Sequence, residues 1–269
     1  MKIFCKNCRK DIFQHEMNFD CGFRITSKDG IHSFIKENTK KNCEEVTRDR
    51  QAEGYLRHIK MPSQSKFFDR FVSKIPTLEN SKSARVVLDL GCGPGPTVKI
   101  LVEHGYDNIT AIDFSKKSLF INKEHNISSN NINWVQADLQ HLIFEPNSVD
   151  ILVMSDFIQH IGSHYDKITL IENALRALKP GGSFYLSFFN FNLINYFKGD
   201  VHGTFSNGSI PYERLIPSEI FAIVNNYIKI SRAYPMNITQ RYMIDNFIGY
   251  FPFLRYIARM FAYEGIKRN

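Results

Sequence analysis

A chain of 269 residues with 43% hydrophobic content can form one large α/β domain with an appendage, or two modest domains. No apolar run is long enough to cross a bilayer as a helix, and the charged start Met1-Lys2-Ile3-Phe4-Cys5-Lys6 lacks the apolar stretch of a secretory signal. Five cysteines, an odd number, argue against a disulfide framework and for a reducing, cytoplasmic setting, and a net charge of +7 leaves RNA or an anionic surface open as partners.

Three regions follow one another. Residues 1–36 hold Cys5, Cys8 and Cys21 and a turn at Asp29-Gly30. Residues 37–80 are charged, with Tyr55, Ile59, Phe67, Phe68, Phe71 and Val72 at helical spacing and Pro62 and Pro76 as helix breakers. From residue 81 to 269, apolar strand-like runs alternate with amphipathic stretches, the pattern of βαβ units and a parallel sheet.

The most informative segment is a strand that runs into a glycine turn. Val86-Val87-Leu88-Asp89-Leu90 leads into Gly91-Cys92-Gly93-Pro94-Gly95, and Pro96-Thr97 starts a helix. Proline suits a first helical turn, where its missing N–H would have no partner. Glycines let the backbone approach a ligand closely, and the helix start offers N–H groups to it. The dinucleotide fingerprint fails, because Pro96 stands where its third glycine is required. A P-loop fails too, since no Gly-Lys-Ser/Thr follows.

Two further strand ends carry acids. Asn108-Ile109-Thr110-Ala111-Ile112-Asp113 places a carboxylate about 20 residues beyond the loop, where it can accept hydrogen bonds from ribose hydroxyls. Phe114-Ser115 then enters a helix. A third strand, Ile132 to Gln136, ends in Ala137-Asp138-Leu139.

The pattern Asp89-x-Gly91-x-Gly93-x-Gly95 resembles motif I of the class I S-adenosylmethionine-dependent methyltransferases. The likeness runs from about Ala84 to Ser187 and includes Pro180-Gly181-Gly182 before the fifth strand. It implies a Rossmann-like, mostly parallel seven-stranded sheet with helices on both faces, beside a small N-terminal ribbon. It also implies that Gly91, Cys92, Gly93 and Gly95 wrap the amino-acid part of S-adenosylmethionine, with Asp89 acting through its ammonium side. Asp113 and Phe114 would serve the ribose and Asp138 and Leu139 the adenine, with Ser155, at the end of strand four, also touching the cofactor.

Catalysis points to Ser155-Asp156-Phe157-Ile158-Gln159-His160-Ile161. On a helical turn Asp156, Gln159 and His160 would share one face. The segment resembles the Glu-x-x-Glu-His segment of ubiquinone-biosynthesis O-methyltransferases, whose polar face is linked to metal. A glutamine in the middle weakens a metal site here and leaves Asp156 and His160 as the catalytic candidates, with His160 as general base.

Cys5-x-x-Cys8, Cys21-Gly22 and Asp29-Gly30-Ile31 resemble the zinc-ribbon-like segment found before some methyltransferase domains. A structural zinc needs four ligands. Cys5, Cys8 and Cys21 would be three, Asn18 stands where a second pair requires cysteine, and His15 is the nearest possible fourth. The departure favours a ribbon that has lost its metal.

Residues 190–217, with Phe191, Tyr196, Phe197, His202, Phe205, Tyr212 and Arg214, are expected to cover the acceptor site. Tyr227 to Ile230 reads as strand six. Phe247 to Phe261 reads as a helix on the domain, packed on the core or touching a membrane surface, with Ala262 to Arg268 as the last, antiparallel strand. Methylation of a small-molecule acceptor, at oxygen or nitrogen, is the leading functional reading. RNA methylation is the alternative, disfavoured because the aromatics are not interleaved with dense basic residues. A cofactor-binding but inactive partner subunit is a third.

Overall fold

The computed structural model describes residues 1–13, 21–36, 43–58, 63–76, 82–126, 131–205, 208–238, 242–248 and 256–269. Three short strands open the chain: β1 (Ile3–Cys5), β2 (Phe23–Lys28) and β3 (Ile31–Lys36). Two helices follow, α1 (Cys43–His58) and α2 (Ser63–Ser73). Alternation then begins with β4 (Val87–Leu90), α3 (Pro96–Glu103), β5 (Ile109–Asp113), α4 (Lys116–His125) and β6 (Ile132–Ala137). It continues through β7 (Leu142–Phe144), β8 (Val149–Ser155), α5 (His164–Ala177) and β9 (Leu178–Phe189). The last part holds α6 (Leu193–Lys198), β10 (His202–Phe205), β11 (Ile210–Glu213), α7 (Pro217–Val224), β12 (Ile228–Met236), α8 (Tyr242–Ile248) and β13 (Met260–Lys267).

The main sheet has the order β12-β13-β9-β8-β4-β5-β6-β3-β2. Its first seven members are the expected Rossmann-like set, with β13 antiparallel between β12 and β9 and the others parallel. Two strands beyond the expected seven extend it, because β3 pairs in parallel with β6 and β2 pairs with β3. The ribbon is thus continuous with the sheet.

Alternate residues of each strand point to opposite faces, which divides the core in two. Leu88, Leu90, Ile112 and Val135 pack with Leu170, Ile171 and Ala174 of α5 and with Ile3, Ile12, Phe23 and Phe34 of the ribbon. Val87, Ile109, Ala111 and Trp134 pack on the other face with Phe67, Phe68 and Phe71 of α2 and Val98 and Leu101 of α3. Helix α5 begins at a capping box, in which Ser163 and Asp166 satisfy each other's backbone N–H groups.

Helix α2 is fixed by a half-buried cation. Arg70 pairs with Glu264 at 2.9 Å and lies over the rings of Phe67 and Tyr234, 5.0 and 4.8 Å from their centroids. Tyr234 also bonds Glu264. Burying a carboxylate is costly unless it is paired, so this cluster ties α2 to the antiparallel end of the sheet.

Of the expected tail helix, residues 249–255 lie outside the described residues, and Phe261 belongs to β13. The strand claims it because Phe261 pairs with both Pro235 and Phe188. Strand β12 extends well past the expected Ile230, to Met236.

Candidate functional site

Strand β4 lies between β5 and β8, where the chain order reverses. In open α/β sheets such a crevice, at the carboxyl ends of the strands, is where ligands bind. The loop there is held from beneath. The N–H groups of Gly91 and Cys92 both donate to Ile112 O, at 2.8 and 3.1 Å, and Gly93 N–H donates to Asp113 Oδ2 at 2.9 Å. These amides shape the loop rather than face a ligand, which narrows what its glycines were expected to offer. The N–H groups of Gly91 and Cys92 are committed to Ile112 O, which sets the loop against the end of β5.

The glycines are required by space and by backbone. Gly91 has φ 67°, and a Cβ there would run into the ring of Phe157. Gly95 has φ 121° and a Cβ would meet Asn122 Oδ1 at 2.5 Å. Asn122, fully buried on α4, donates to Gly93 O at 2.9 Å, so the loop is clamped from a second helix. Sequence reasoning missed Asn122; its only signal is a polar residue on the inner face of a helix.

Asp89 is completely buried, and its Oδ2 accepts from the Thr97 hydroxyl at 2.5 Å. Its other oxygen is buried with no hydrogen-bond partner. Burial pushes this carboxyl up to about 7, against the pull of the Thr97 bond, and the neighbouring Asp113 adds to the rise. An orphaned carboxylate oxygen beside the loop is completed by a cationic N–H donor. Asp113 is also raised, first by burial, although Ser115 N–H and Gly93 N–H donate to it. Lone pairs remain on both its oxygens.

Two adjoining cavities, of about 160 and 250 Å³, meet at Arg48, Gly91, Asp113 and Phe157. The first continues over Gly93, Pro94 and Thr97 to Gln64, Ser65 and Phe68 of α2, with Ser155 and Asp156 at one wall. The second runs over Phe114, Asp138, Leu139 and Gln140 to His160 and Pro211. The structure therefore brings Asp113, Phe114, Asp138, Leu139, Ser155, Asp156 and His160 around one crevice. Arg48 of α1 was missed, since a charged helix ahead of the domain gives no sign of facing it. It is held by Glu44, which accepts from Nη2 at 2.7 Å and from Nε.

The segment after β8 departs from expectation. Asp156 has φ 58°, and only Ile158–His160 forms a 3-10 turn, so Asp156, Gln159 and His160 do not share a helical face. Gln159 is turned inward and donates to both Asp156 Oδ1 and Asp156 O, at 2.8 and 2.9 Å. Among the described residues, the cysteine cluster is the group of three or more convergent metal-ligand types; residues 156–160 do not form one. Burial raises Asp156 to about 7 despite its Gln159 bond. His160 is lowered to about 4 by burial and by the charges of Arg48 and Lys167. Its Nδ1 lies 2.8 Å from Pro211 O. A carbonyl only accepts, so Nδ1 carries the proton and Nε2 the lone pair.

The expected cover contains α6 and the β10–β11 hairpin. It is fastened to α5 by Lys167, which is buried and donates to Glu213 at 2.6 Å and to Gly162 O at 2.8 Å. A third cavity, of about 490 Å³, lies between His160 and this hairpin, lined by His164, Lys167, His202, Tyr212 and Glu213.

At the ribbon, Cys21 Sγ lies 3.5 Å from Cys5 Sγ and 3.4 Å from Cys8 Sγ. Thiolates about 2.3 Å from a common zinc ion would be spaced at nearly this distance, so the three sulfurs fit such a metal as donors. His15 and Asn18 lie outside the described residues. Burial pushes Cys5 up to about 11. For Cys8, burial is outweighed by hydrogen bonds from the Lys10 backbone and Cys21, and the thiol is lowered.

Residues 88–186 match the family model described as a methyltransferase domain. Over these residues the chain is similar to a methyltransferase domain, and its sheet has the fold of the class I methyltransferases. S-adenosylmethionine is the cofactor of that class, and the orphaned Asp89 oxygen and the two joined cavities fit it. The chain is 28% identical over 151 residues to a ubiquinone biosynthesis O-methyltransferase of Idiomarina loihiensis, covering 52% of this chain and 59% of the relative. It is 31% identical over 111 residues to the enzyme of that name from Coxiella burnetii, covering 41% and 46%. The chain thus spans about half the length of the curated relatives it matches. Among solved structures, the methyltransferase domain has the fold of N-methyltransferase NodS from Bradyrhizobium japonicum, solved with S-adenosylhomocysteine (TM-score 0.59, 12% identity, 85% of this chain and 100% of that one). A complex between the Haloferax volcanii Trm112 methyltransferase activator and a methyltransferase matches with TM-score 0.59 and 17% identity, over 84% and 96%. No described helix is long and apolar enough to cross a membrane.

Proposed function

We propose that this chain transfers the methyl group of S-adenosylmethionine to an oxygen of a small-molecule biosynthetic intermediate. One observation carries the reading: Asp113, Asp138 and the glycine loop stand at the ends of three adjacent parallel strands and line joined cavities that continue to His160. The name of the matched relatives, O-methyltransferases of ubiquinone biosynthesis, supports oxygen as the acceptor atom.

In this reading Asp113 and Phe114 hold the ribose, and Asp138 and Leu139 read the adenine. Gly91, Cys92, Gly93 and Gly95 carry the amino-acid part, and Asp89 answers its ammonium group. Ser155 lines the wall between cofactor and acceptor. The bound cofactor supplies an electrophilic methyl group on a sulfonium. The protein aligns the acceptor oxygen behind that methyl, and alignment supplies much of the acceleration. His160 Nε2 takes the hydroxyl proton as the new bond forms, and Asp156 fixes the turn that presents His160. The cavity beneath the 190–217 cover holds the acceptor.

The same reading divides the chain into a ribbon at 1–36, a helical lead-in at 37–80 and the methyltransferase domain at 81–269. The three convergent thiols Cys5, Cys8 and Cys21 would be zinc donors.

Transfer of labelled methyl from S-adenosylmethionine to a panel of phenols, catechols and hydroxylated isoprenoids tests the activity. Label should appear in an ether product. Label confined to amines would move the acceptor atom to nitrogen, and label in RNA alone would replace the reading.

A further inference from the structure

The ribbon reaches the nucleoside end of the crevice by three separate contacts. Strand β3 pairs with β6 up to Phe34 opposite Ala137, the residue before Asp138. Strand β1 pairs with β7, Cys5 opposite Leu142, and the next residue, Lys6, donates its N–H to His141 O at 2.8 Å. Between these, the ring of Phe23 stacks on Phe34 at 4.7 Å and lies 4.9 Å from the ring of His141.

The turn they enclose is Leu139–His141, capped by Asp138, whose Oδ1 accepts from Gln140 N–H at 2.9 Å. His141 N–H closes it on Asp138 O at 3.0 Å. Leu142 N–H adds a second bond to Leu139 O, and a turn this short depends for its position on what flanks it. Strands β1 and β3 flank the turn from residues 1–36, and α5 packs beside it from the other part of the chain. Phe23 is buried, so its contact with His141 is a fixed packing contact.

We infer that the ribbon is a positioning element for the adenine pocket, with Phe23 acting through His141 to set where Asp138 and the Leu139 backbone meet the base. The inference rests on the cofactor reading above. Its consequence is specific: loosening this contact should impair recognition of the adenine edge more than it impairs the fold. A group held by a displaced turn loses its directional hydrogen bonds first, and these separate an amino group from a carbonyl.

The test uses the full chain and two probes, S-adenosylhomocysteine and S-inosylhomocysteine, which differ in the group at the base edge. Phe23→Leu keeps an apolar side chain of similar bulk. Ile25→Val, two residues along the same strand, is the control for general loosening of the ribbon. His141→Ala removes the other ring of the contact from a half-buried position and carries the test alone should Phe23→Leu fail to fold. Dissociation constants are compared at a temperature where melting curves show every protein folded.

Phe23→Leu and His141→Ala should each weaken S-adenosylhomocysteine by about ten-fold and narrow its preference over the inosine compound. The double variant should be no worse than the more severe single one, and Ile25→Val should leave the preference intact. A wild-type chain that binds neither compound removes the nucleoside reading and this inference together. Tight wild-type binding with an unchanged preference in both variants overturns this inference alone. So does an equal effect from Ile25→Val.

Discussion

Asp113 Oδ2 accepts a hydrogen bond from Gly93 N–H at 2.9 Å, so the residue expected to hold the ribose also fastens the glycine loop. Its second oxygen accepts from Ser115 N–H at 2.8 Å, which starts α4. One carboxylate thus sets the spacing between the loop, the second strand end and the next helix.

Asp113→Ala removes these anchors and the ribose contact together. Cofactor affinity should fall by about 1–3 kcal/mol, the range for a hydrogen-bonded buried group. Asp113→Asn keeps one acceptor and should lose less. Calorimetry with S-adenosylhomocysteine checks both, and unchanged affinity in the alanine variant would remove the assignment.

The orphaned oxygen of Asp89 gives cofactor binding a pH dependence. Its carboxyl, raised to about 7, is protonated in the free protein below that pH, whereas a bound ammonium group favours the ionised form. Binding therefore releases a proton, and affinity should weaken as pH falls through about 7. Asp156 is raised to about 7 as well, so Asp156→Asn serves as the control. Asp89→Asn should bind weakly at about pH 8 and lose the dependence; a dependence that survives in it would place the titrating group elsewhere.

His160→Gln tests proton transfer. A positioned base contributes about 100- to 10,000-fold, and the rate should fall within that range while cofactor affinity stays unchanged. Because burial and the Arg48 and Lys167 charges hold His160 near 4, its imidazole stays neutral at neutral pH. The wild-type rate should show no limb at the ordinary histidine value of about 6.5. A limb near 7 that persists in His160→Gln belongs to Asp89 or Asp156, and the Asp89→Asn and Asp156→Asn variants separate the two.

Metal analysis addresses the thiol cluster. The full chain, purified without chelator, should contain about one zinc per molecule. Removing it should lower the melting temperature, since Cys5 and the ribbon strands share the core with β4 and α5. Cys21→Ser should lose the metal, and a metal-free wild type would remove the zinc assignment.

Much of this was legible in the chain. The strands β4, β5 and β6 are apolar runs that stop at a glycine or an acid, so Gly91, Asp113 and Asp138 announce themselves at strand ends. The period of two and the 3.6-residue helical spacing gave the order of elements. Pairings between distant segments were not legible. Nothing local tells β3 to lie beside β6, about 100 residues on, or Lys167 to reach Glu213 through the cover. The shared face of Asp156, Gln159 and His160 failed for a local reason: Asp156 takes a left-handed backbone, and its carboxyl satisfies Gln159. Arg48 and Phe157 escaped notice because their importance lies in where two cavities meet.

Titration of the purified full chain with S-adenosylmethionine, beside ATP and a nicotinamide dinucleotide, tests the account most directly. Saturable heat with one site per chain and a raised melting temperature are expected for the sulfonium compound alone. Silence toward it, with firm binding of either of the others, would contradict the account.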